Sequence, residues 1–575
     1  MLQKTLVFLA LAVVLGIPLA LKLLSPAQAA PSNARSVVII TPHVPQIRLE
    51  FGEAFARWHK DNYGEDVFVD WRSPGAGTSE LVKILEAQFT AAAKAGKFDF
   101  TDPKNPTAPP GTISFDIMFG GGSFDHGRLK TGVRVKPPGA EKELPLPMSA
   151  PAGFTDDELA AWFGKDAAGA VDNRVGAGQL FDPQQFWIGT ALSSFGIVYN
   201  REVLHRMGVP EPRTFQDLTD PRLSGLVILA DPRQSGSITT AFDEVLNAAL
   251  WNRAKDEGWL AELTAAFDTE AKTKTPWEKS LSPATMERVE VSFQEGWRIL
   301  REMTANARSF APAATRPPID ISAGEGAAGL AIDFYGRGQA QAVSGSNVKD
   351  ARLGYVDPQG ATYIDADPAS ILRAGPNPDL AKRFVEFCLS PEGQLLWQLP
   401  STRDPRSKDN PTLANADPAA KGDPARILAP RMYELRRMPV RKDLIAQHRT
   451  KFVDDIDPFT VAAEHRPANW RSAIGLMMGA FSIDNAHQQR EAWNALNAAR
   501  SNAAFPKDRL AELESLFYGW PETPDKDGNP LPFTAANYRT IRDRWRDPTT
   551  LTRLEVAYYT FFRNNYDRIN SLSPN

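Results

Sequence analysis

Several things are scarce in this 575-residue chain, and each scarcity removes a class of explanation. It has a single cysteine, Cys388, which excludes an internal disulfide framework and any thiolate-built metal cluster. That residue lies in Phe384-Val-Glu-Phe-Cys-Leu389, an apolar helical face, the setting of a buried and inert thiol. The seven histidines, at positions 43, 59, 126, 205, 448, 465 and 487, nowhere fall at close metal-ligand spacing. Neither sign of charge is in excess: 65 Lys and Arg stand against 69 Asp and Glu, a net charge of −4. The basic footprint of a nucleic-acid binder is therefore missing, and no nucleic-acid partner is expected. The chain has no Gly-x-Ser-x-Gly elbow, no His-Glu-x-x-His helix and no Gly-x-x-x-x-Gly-Lys-Ser/Thr loop. No Asp/Glu pair is marked out for acid/base work. An enzyme is not expected and no cofactor is implied; an exported metal-dependent hydrolase is the competing reading from another class. Internal repeats are absent, and beyond residue 30 no apolar run is long enough to cross a membrane.

The N-terminus carries the one long apolar run. Lys4 precedes Leu6 to Leu21, and Ala27-Gln-Ala29 follows as a small-x-small cleavage pattern, so residues 1–30 read as a secretory signal peptide. Lys22 in the tail of the run keeps an uncleaved membrane anchor open as the alternative. No cysteine follows the run, so lipid attachment is excluded there. The mature protein is expected outside the cytoplasm, periplasmic or extracellular.

At this length more than one domain is expected. Ser36 to His43 is a short apolar strand ending in polar residues. It is followed by a helix from Ile47 to Tyr63 with Leu49, Phe51, Phe55 and Trp58 at helical spacing. A second strand, Asp66–Trp71, leads through Ser73-Pro-Gly-Ala-Gly-Thr-Ser79 into a helix at 80–95. A third strand, Ile113–Phe119, ends in Gly120-Gly-Gly-Ser123. This order predicts an α/β lobe with a mainly parallel sheet, whose ligands meet the loops at the carboxyl ends of the strands. Residues 126–185 read as surface loops with one helix near 156–163. Trp187 to Asn200 is a β-rich run leading into a helix, and Leu226–Ala230 is a buried-type strand. After it come Asp231-Pro-Arg-Gln-Ser-Gly-Ser237 and an amphipathic helix at 238–251. A helical block to Arg308 has Trp259, Phe267, Trp277, Phe293 and Trp297 as core anchors. Strands near 329–336, 351–356 and 369–372 and a helix at 378–394 complete this part. Residues 401–423 read as a linker, and from Met432 onward the pattern is helical. That tail is expected to pack on the lobe the chain has re-entered.

Four stretches resemble the extracellular solute-binding proteins of bacterial ABC importers. They are Gly196-Ile-Val-Tyr-Asn-Arg-Glu-Val-Leu204, Gly208 to Leu218, Asp220-Pro-Arg-Leu-Ser-Gly225 and Asp231 to Ser237, in that order. Ala374 to Gln394 resembles the helix near the end of that fold. The similarity is to the ferric-iron, phosphonate and sugar-phosphate binders, and it covers roughly residues 36–400. It implies an α/β, two-lobed type II periplasmic binding-protein fold with hinge-crossing strands, here plus a mainly helical C-terminal extension. The expected layout is lobe 1 over 36–125, lobe 2 over 126–350 with a crossing strand at 186–200, a return to lobe 1 over 351–400, and the extension over 401–575. The implied partners are a small-molecule solute and ABC permease subunits of the inner membrane, with the protein itself a monomer.

Candidate ligand contacts follow from strand ends and helix starts. Ser235, Gly236 and Ser237 precede a helix, where capping and anion binding are compatible. Gly75, Gly77, Thr78 and Ser79 offer the same geometry in the first lobe, though such a turn can be only a turn. Thr41 and His43 follow the first strand, and Gly121 and Ser123 the third. Ser193 lies on a crossing strand, where hinge hydrogen bonding is the plainer role. Asp333 and Tyr335 follow a strand at the place where the family's ferric binders carry adjacent tyrosines; here the pair is Phe334-Tyr335. Two helix N-termini facing a cleft favour an oxyanion such as phosphate, phosphonate or carboxylate. A hard-cation set of His43, Asp333 and Tyr335 is the alternative, and a ligand-binding partner of a membrane sensor is a third possibility.

Overall fold

The computed structural model describes residues 34–75, 77–344, 351–358, 360–401 and 433–573. The expected signal segment and nearly all of the expected linker lie outside these residues. Nine strands form one continuous sheet: β1 (Arg35–Ile40), β2 (Val67–Arg72), β3 (Ile117–Phe119), β4 (Ile188–Asn200), β5 (Val227–Ala230), β6 (Ala307–Ala311), β7 (Ala328–Ile332), β8 (Leu353–Val356) and β9 (Ile364–Ile371). Their order is β6-β5-β7-β4-β9-β3-β1-β2, with β8 also pairing on β4.

The length of β4 divides this sheet into two lobes. Its first half pairs antiparallel with β9, and its second half with β7 and β8. From β9 the first lobe continues through β3 to the parallel strands β1 and β2. From β7 the second lobe continues to the parallel strands β5 and β6. All of β4 is buried, as an uncharged strand covered on both faces should be. Seven helices frame the cleft and cover the sheet: α1 (Pro45–Tyr63), α2 (Thr78–Lys94), α3 (Ser123–Thr131), α4 (Gly236–Asp256), α5 (Pro283–Ala305), α6 (Asp333–Ser344) and α7 (Pro378–Leu389). In α1 the residues Ile47, Phe51, Ala54, Phe55 and Trp58 are buried together, and the helix ends on Gly64 at φ 73°. That stripe at helical spacing covers the first lobe's sheet.

Two expectations need correction. The stretch 126–185 is not simply surface loop. It contains most of α3 and a hairpin, Val133–Val135 with Leu144–Leu146. Leu129, Val135 and Leu146 join Leu81, Leu85 and Phe89 of α2 in one apolar cluster, so this part of the chain packs on the first lobe. The helical tail likewise packs chiefly on the second lobe, not on the first. Trp470 meets Trp277 and Phe293, and Phe481 meets Trp297. Trp493 Nε1 donates to Asn306 Oδ1 at 2.9 Å. Buried Arg301 of α5 lies 4.1 Å from the Trp520 ring centroid and donates to the Phe517 and Gly519 carbonyls. The aromatic anchors of α5 and its neighbours need apolar cover, and the tail supplies it.

Candidate functional site

A cavity of about 230 Å³ lies between the lobes. Of the residues expected at the site, His43, Gly75, Gly77, Thr78, Gly121, Ser235, Ser237 and Tyr335 line it, although they span nearly three hundred positions of sequence. Two helices begin at its wall. Helix α2 starts at Thr78, two residues earlier than its sequence pattern indicates, behind Gly77 at the N-cap; α4 starts at Gly236 behind Ser235. Neither N-cap residue supplies a side-chain capping hydrogen bond. The first N–H groups of a helix have no intrahelical acceptor, so each lobe presents a set of donors and the positive end of a helix dipole.

Helix α3 differs. Ser123 N donates to Asp365 Oδ2 at 3.2 Å, so this helix start already faces a carboxylate of the protein. Ser123 is not in the wall of the cavity, and Gly121 is the residue of that loop that lines it. The other expected residues hold structural places. Thr41, fully buried, donates to the Phe119 carbonyl at 2.7 Å and accepts from the His43 backbone N–H at 3.1 Å. Ser79 donates to Asp125 Oδ1 at 3.3 Å. Asp333 is fully buried and paired with Arg337 at 3.2 Å, away from the cavity wall. The set His43, Asp333 and Tyr335 is therefore not gathered around one point. Among the described residues no group of three or more His, Cys, Asp or Glu is placed to hold a metal ion.

Two arginines that sequence reasoning missed contribute the charge. Arg48, on the second turn of α1, and Arg437, from the tail, both line the cavity. Arg437 arrives on the segment that flanks the hinge, where Leu192 of β4 and Met438 exchange backbone hydrogen bonds of 2.7 and 3.2 Å. Its guanidinium is 2% exposed. It donates to His43 Nε2 at 2.8 Å, to Ser193 Oγ at 3.1 Å and to Asp367, and lies 3.9 Å from the Phe334 ring centroid. Ser193 is thus a hinge residue that holds Arg437.

Since His43 Nε2 accepts, the network assigns the ring proton to Nδ1. Burial holds the ring below its ordinary pKa against the pull of Asp367, which keeps it neutral. Burial alone would raise the Asp367 carboxyl, but Arg437 and His43 together outweigh it and leave this group below the usual carboxylate range. Burial raises the Tyr335 phenol well above its ordinary value. Among the described residues, the buried Nε atoms of Arg48 and Arg437 and Nδ1 of His43 have no hydrogen-bond partner. Asp367 is the one acidic side chain among the described residues of the wall, and it is already paired.

The lobes touch beside this cavity. A Cβ on Gly77 would lie 2.4 Å from the Gln234 carbonyl oxygen, across the cleft. A Cβ on Gly236 would lie 2.1 Å from Asp125 Oδ2, again across it. Glycine permits both approaches, and they hold the two helix N-termini together.

Known proteins resemble parts of this chain. Residues 154–422 match the family model described as bacterial extracellular solute-binding protein. An uncharacterized protein of Haemophilus influenzae is 29% identical over 206 residues, 36% of this chain and 45% of that protein, so the match covers less than half of its length. The phosphoglycerate transport regulatory protein PgtC of Salmonella typhimurium is 22% identical over 362 residues, 60% of this chain and 75% of that protein. Among solved structures, the periplasmic binding protein AfuA of Actinobacillus pleuropneumoniae, with fructose-6-phosphate bound, aligns with a TM-score of 0.39 and 19% identity over 64% of this chain and 82% of its own. Iron-bound HitA of Pseudomonas aeruginosa aligns with a TM-score of 0.41 and 13% identity over 77% and 98%. No helix among the described residues is long and apolar enough to cross a membrane. The match to the bacterial extracellular solute-binding proteins thus spans residues 154–422, which carry the second lobe and both long strands, β4 and β9, that join it to the first.

Proposed function

We propose that the interlobe cavity captures a small anionic solute bearing a phosphate, phosphonate or carboxylate group, for delivery to a membrane permease, without chemical conversion. One observation carries this reading: an uncapped helix N-terminus from each lobe opens on a single cavity that also holds Arg48 and Arg437. Backbone N–H groups and a helix dipole are a ready-made anion site, and guanidinium groups add charge-assisted hydrogen bonds. The volume, about 230 Å³, is below the roughly 300–1,000 Å³ usual for drug-sized ligands, which favours a compact solute. The name of the Salmonella relative points the same way, since a phosphoglycerate carries a phosphate and a carboxylate.

Ferric iron fits less well. Arg437 holds His43, Arg337 holds Asp333, and the Tyr335 phenol resists ionisation, so the residues proposed for a hard cation are engaged or protonated. The test is calorimetric and thermal titration with inorganic phosphate, phosphoglycerate and ferric citrate. A binder gains about 2.7 kcal/mol at ligand a hundredfold above its dissociation constant, and the ligand should be recovered unchanged. Stabilisation by ferric iron alone, or consumption of the ester, would sink the reading.

A further inference from the structure

Beyond the contact between Asp125 and Gly236 lies a second chamber of about 360 Å³. Strand β9 explains its place. Asp365 and Asp367 are two residues apart, so their side chains leave the same face of the sheet about 7 Å from each other. Asp367 lines the first cavity and Asp365 the second. Helix α4 repeats the relation: Ser237 lines the first, while Asp243 and Glu244, about two turns further on, line the second. Trp187 and Tyr363 contribute aromatic walls, and residues of the C-terminal tail close the top.

The charges of this chamber are the reverse of its neighbour's. Asp243 is 7% exposed and Glu244 1%, and each keeps one carboxylate oxygen, Asp243 Oδ1 and Glu244 Oε2, without a hydrogen-bond partner among the described residues. His465 Nδ1 is 2.7 Å from the other oxygen of Glu244. Arg471 is already engaged, donating to the Gly236 carbonyl at 2.6 Å and Thr240 Oγ1 at 2.9 Å with Phe124 4.4 Å from its guanidinium. Arg542, partly exposed, also lines the chamber, so among the described residues two arginines, each with an unpartnered Nε, stand against three acids. Burial lifts Asp243 and Asp365 to about 6 and Glu244 to about 7, against the opposing pull of Arg471 on the two aspartates and of His465 on Glu244. The acids are not grouped around one point as a metal ion requires. Spread over separate walls beside aromatic rings, they suit an extended organic cation.

We propose that this chamber is a second ligand site for a small organic diamine, its two ammonium groups set against the carboxylates of Asp243 and Glu244 on one wall and Asp365 on another, with Trp187 and Tyr363 against its carbon chain. It is bounded by both lobes, the crossing strands and the tail, so an amine bound here ties the tail to the closed arrangement of the lobes. The site stands apart from the oxyanion reading of the first cavity and does not depend on it.

The test is calorimetric titration of the full chain with 1,4-diaminobutane, compared with Asp243→Asn and Glu244→Gln. Both substitutions remove a charge that burial penalises, so both variants should fold; far-UV circular dichroism and cooperative unfolding report this independently of any ligand. The expected result is one-to-one binding of the diamine, weakened about tenfold or more by either substitution, the equivalent of about 1.4 kcal/mol. Absence of heat up to about 10 mM diamine, or an affinity unmoved by both substitutions, would overturn the proposal.

Discussion

Gly77→Ala separates folding of the lobes from their closure. Gly77 has φ −70° and ψ 167°, values alanine adopts freely, so the backbone gains no strain. At the N-cap, alanine in place of glycine costs up to about 1 kcal/mol of fold stability. Across the cleft the added methyl would lie 2.4 Å from the Gln234 carbonyl oxygen, whereas ordinary contact begins at 3.4 Å. That oxygen belongs to the backbone and cannot rotate away, so the lobes must part by roughly 1 Å at this point. A charge-assisted hydrogen bond to an oxyanion contributes about 1.5–3 kcal/mol, and moving one helix N-terminus out of reach forfeits at least one. The dissociation constant should then rise about 10- to 100-fold, measured by calorimetry, while unfolding of the free protein shifts little. Gly127→Ala is the control, since nothing lies within 4 Å of its added Cβ. Wild-type affinity in Gly77→Ala would refute closure through this contact.

Four further outcomes are expected. Arg437→Met should lose about 3–5 kcal/mol in urea unfolding by stranding the Asp367 carboxylate, and Arg437→Met with Asp367→Asn should recover most of it; a double variant as unstable as the single would show that the pair is not coupled. Ser237→Asp should abolish anion binding in calorimetry with the fold intact, by setting a negative charge at the α4 N-terminus. For Asp243, burial raises the folded-state carboxyl to about 6 from 3.8, so wild-type stability from this group is full below about pH 4 and is lost as the pH rises towards 6. Asp243→Asn should accordingly match the wild type at low pH and exceed it by about 1–3 kcal/mol near neutrality, read from unfolding at several pH values. Truncation before residue 433 should yield aggregated protein on size-exclusion chromatography, because it uncovers Trp277, Phe293 and Trp297.

The strand–loop–helix rhythm of both lobes was legible because its signals are local: the apolar stripe of α1, the glycine turn before α2, the Ser-Gly-Ser turn before α4. The two helix starts could be placed at the cleft because open sheets carry ligands at strand ends. Arg437 was not legible in this way. Its position depends on a late segment of the chain lying beside the hinge, and nothing near it in sequence marks that placement. Arg48 had a fainter signal, as the first charged residue of α1, five positions after His43. Asp365 and Asp367 were readable in principle: alternating carboxylates in Ile364-Asp-Ala-Asp-Pro-Ala-Ser-Ile371 must share one face of a strand. The packing of the tail on the second lobe rests on side-chain complementarity between distant aromatics, to which periodicity is blind.

Native mass spectrometry of the freshly purified protein tests most directly whether the cleft holds an oxyanion. The expected result is a one-to-one adduct whose mass fits a phosphorylated or carboxylated solute, kept in the presence of chelator and lost from Ser237→Asp. An adduct of iron that a chelator strips away would contradict it.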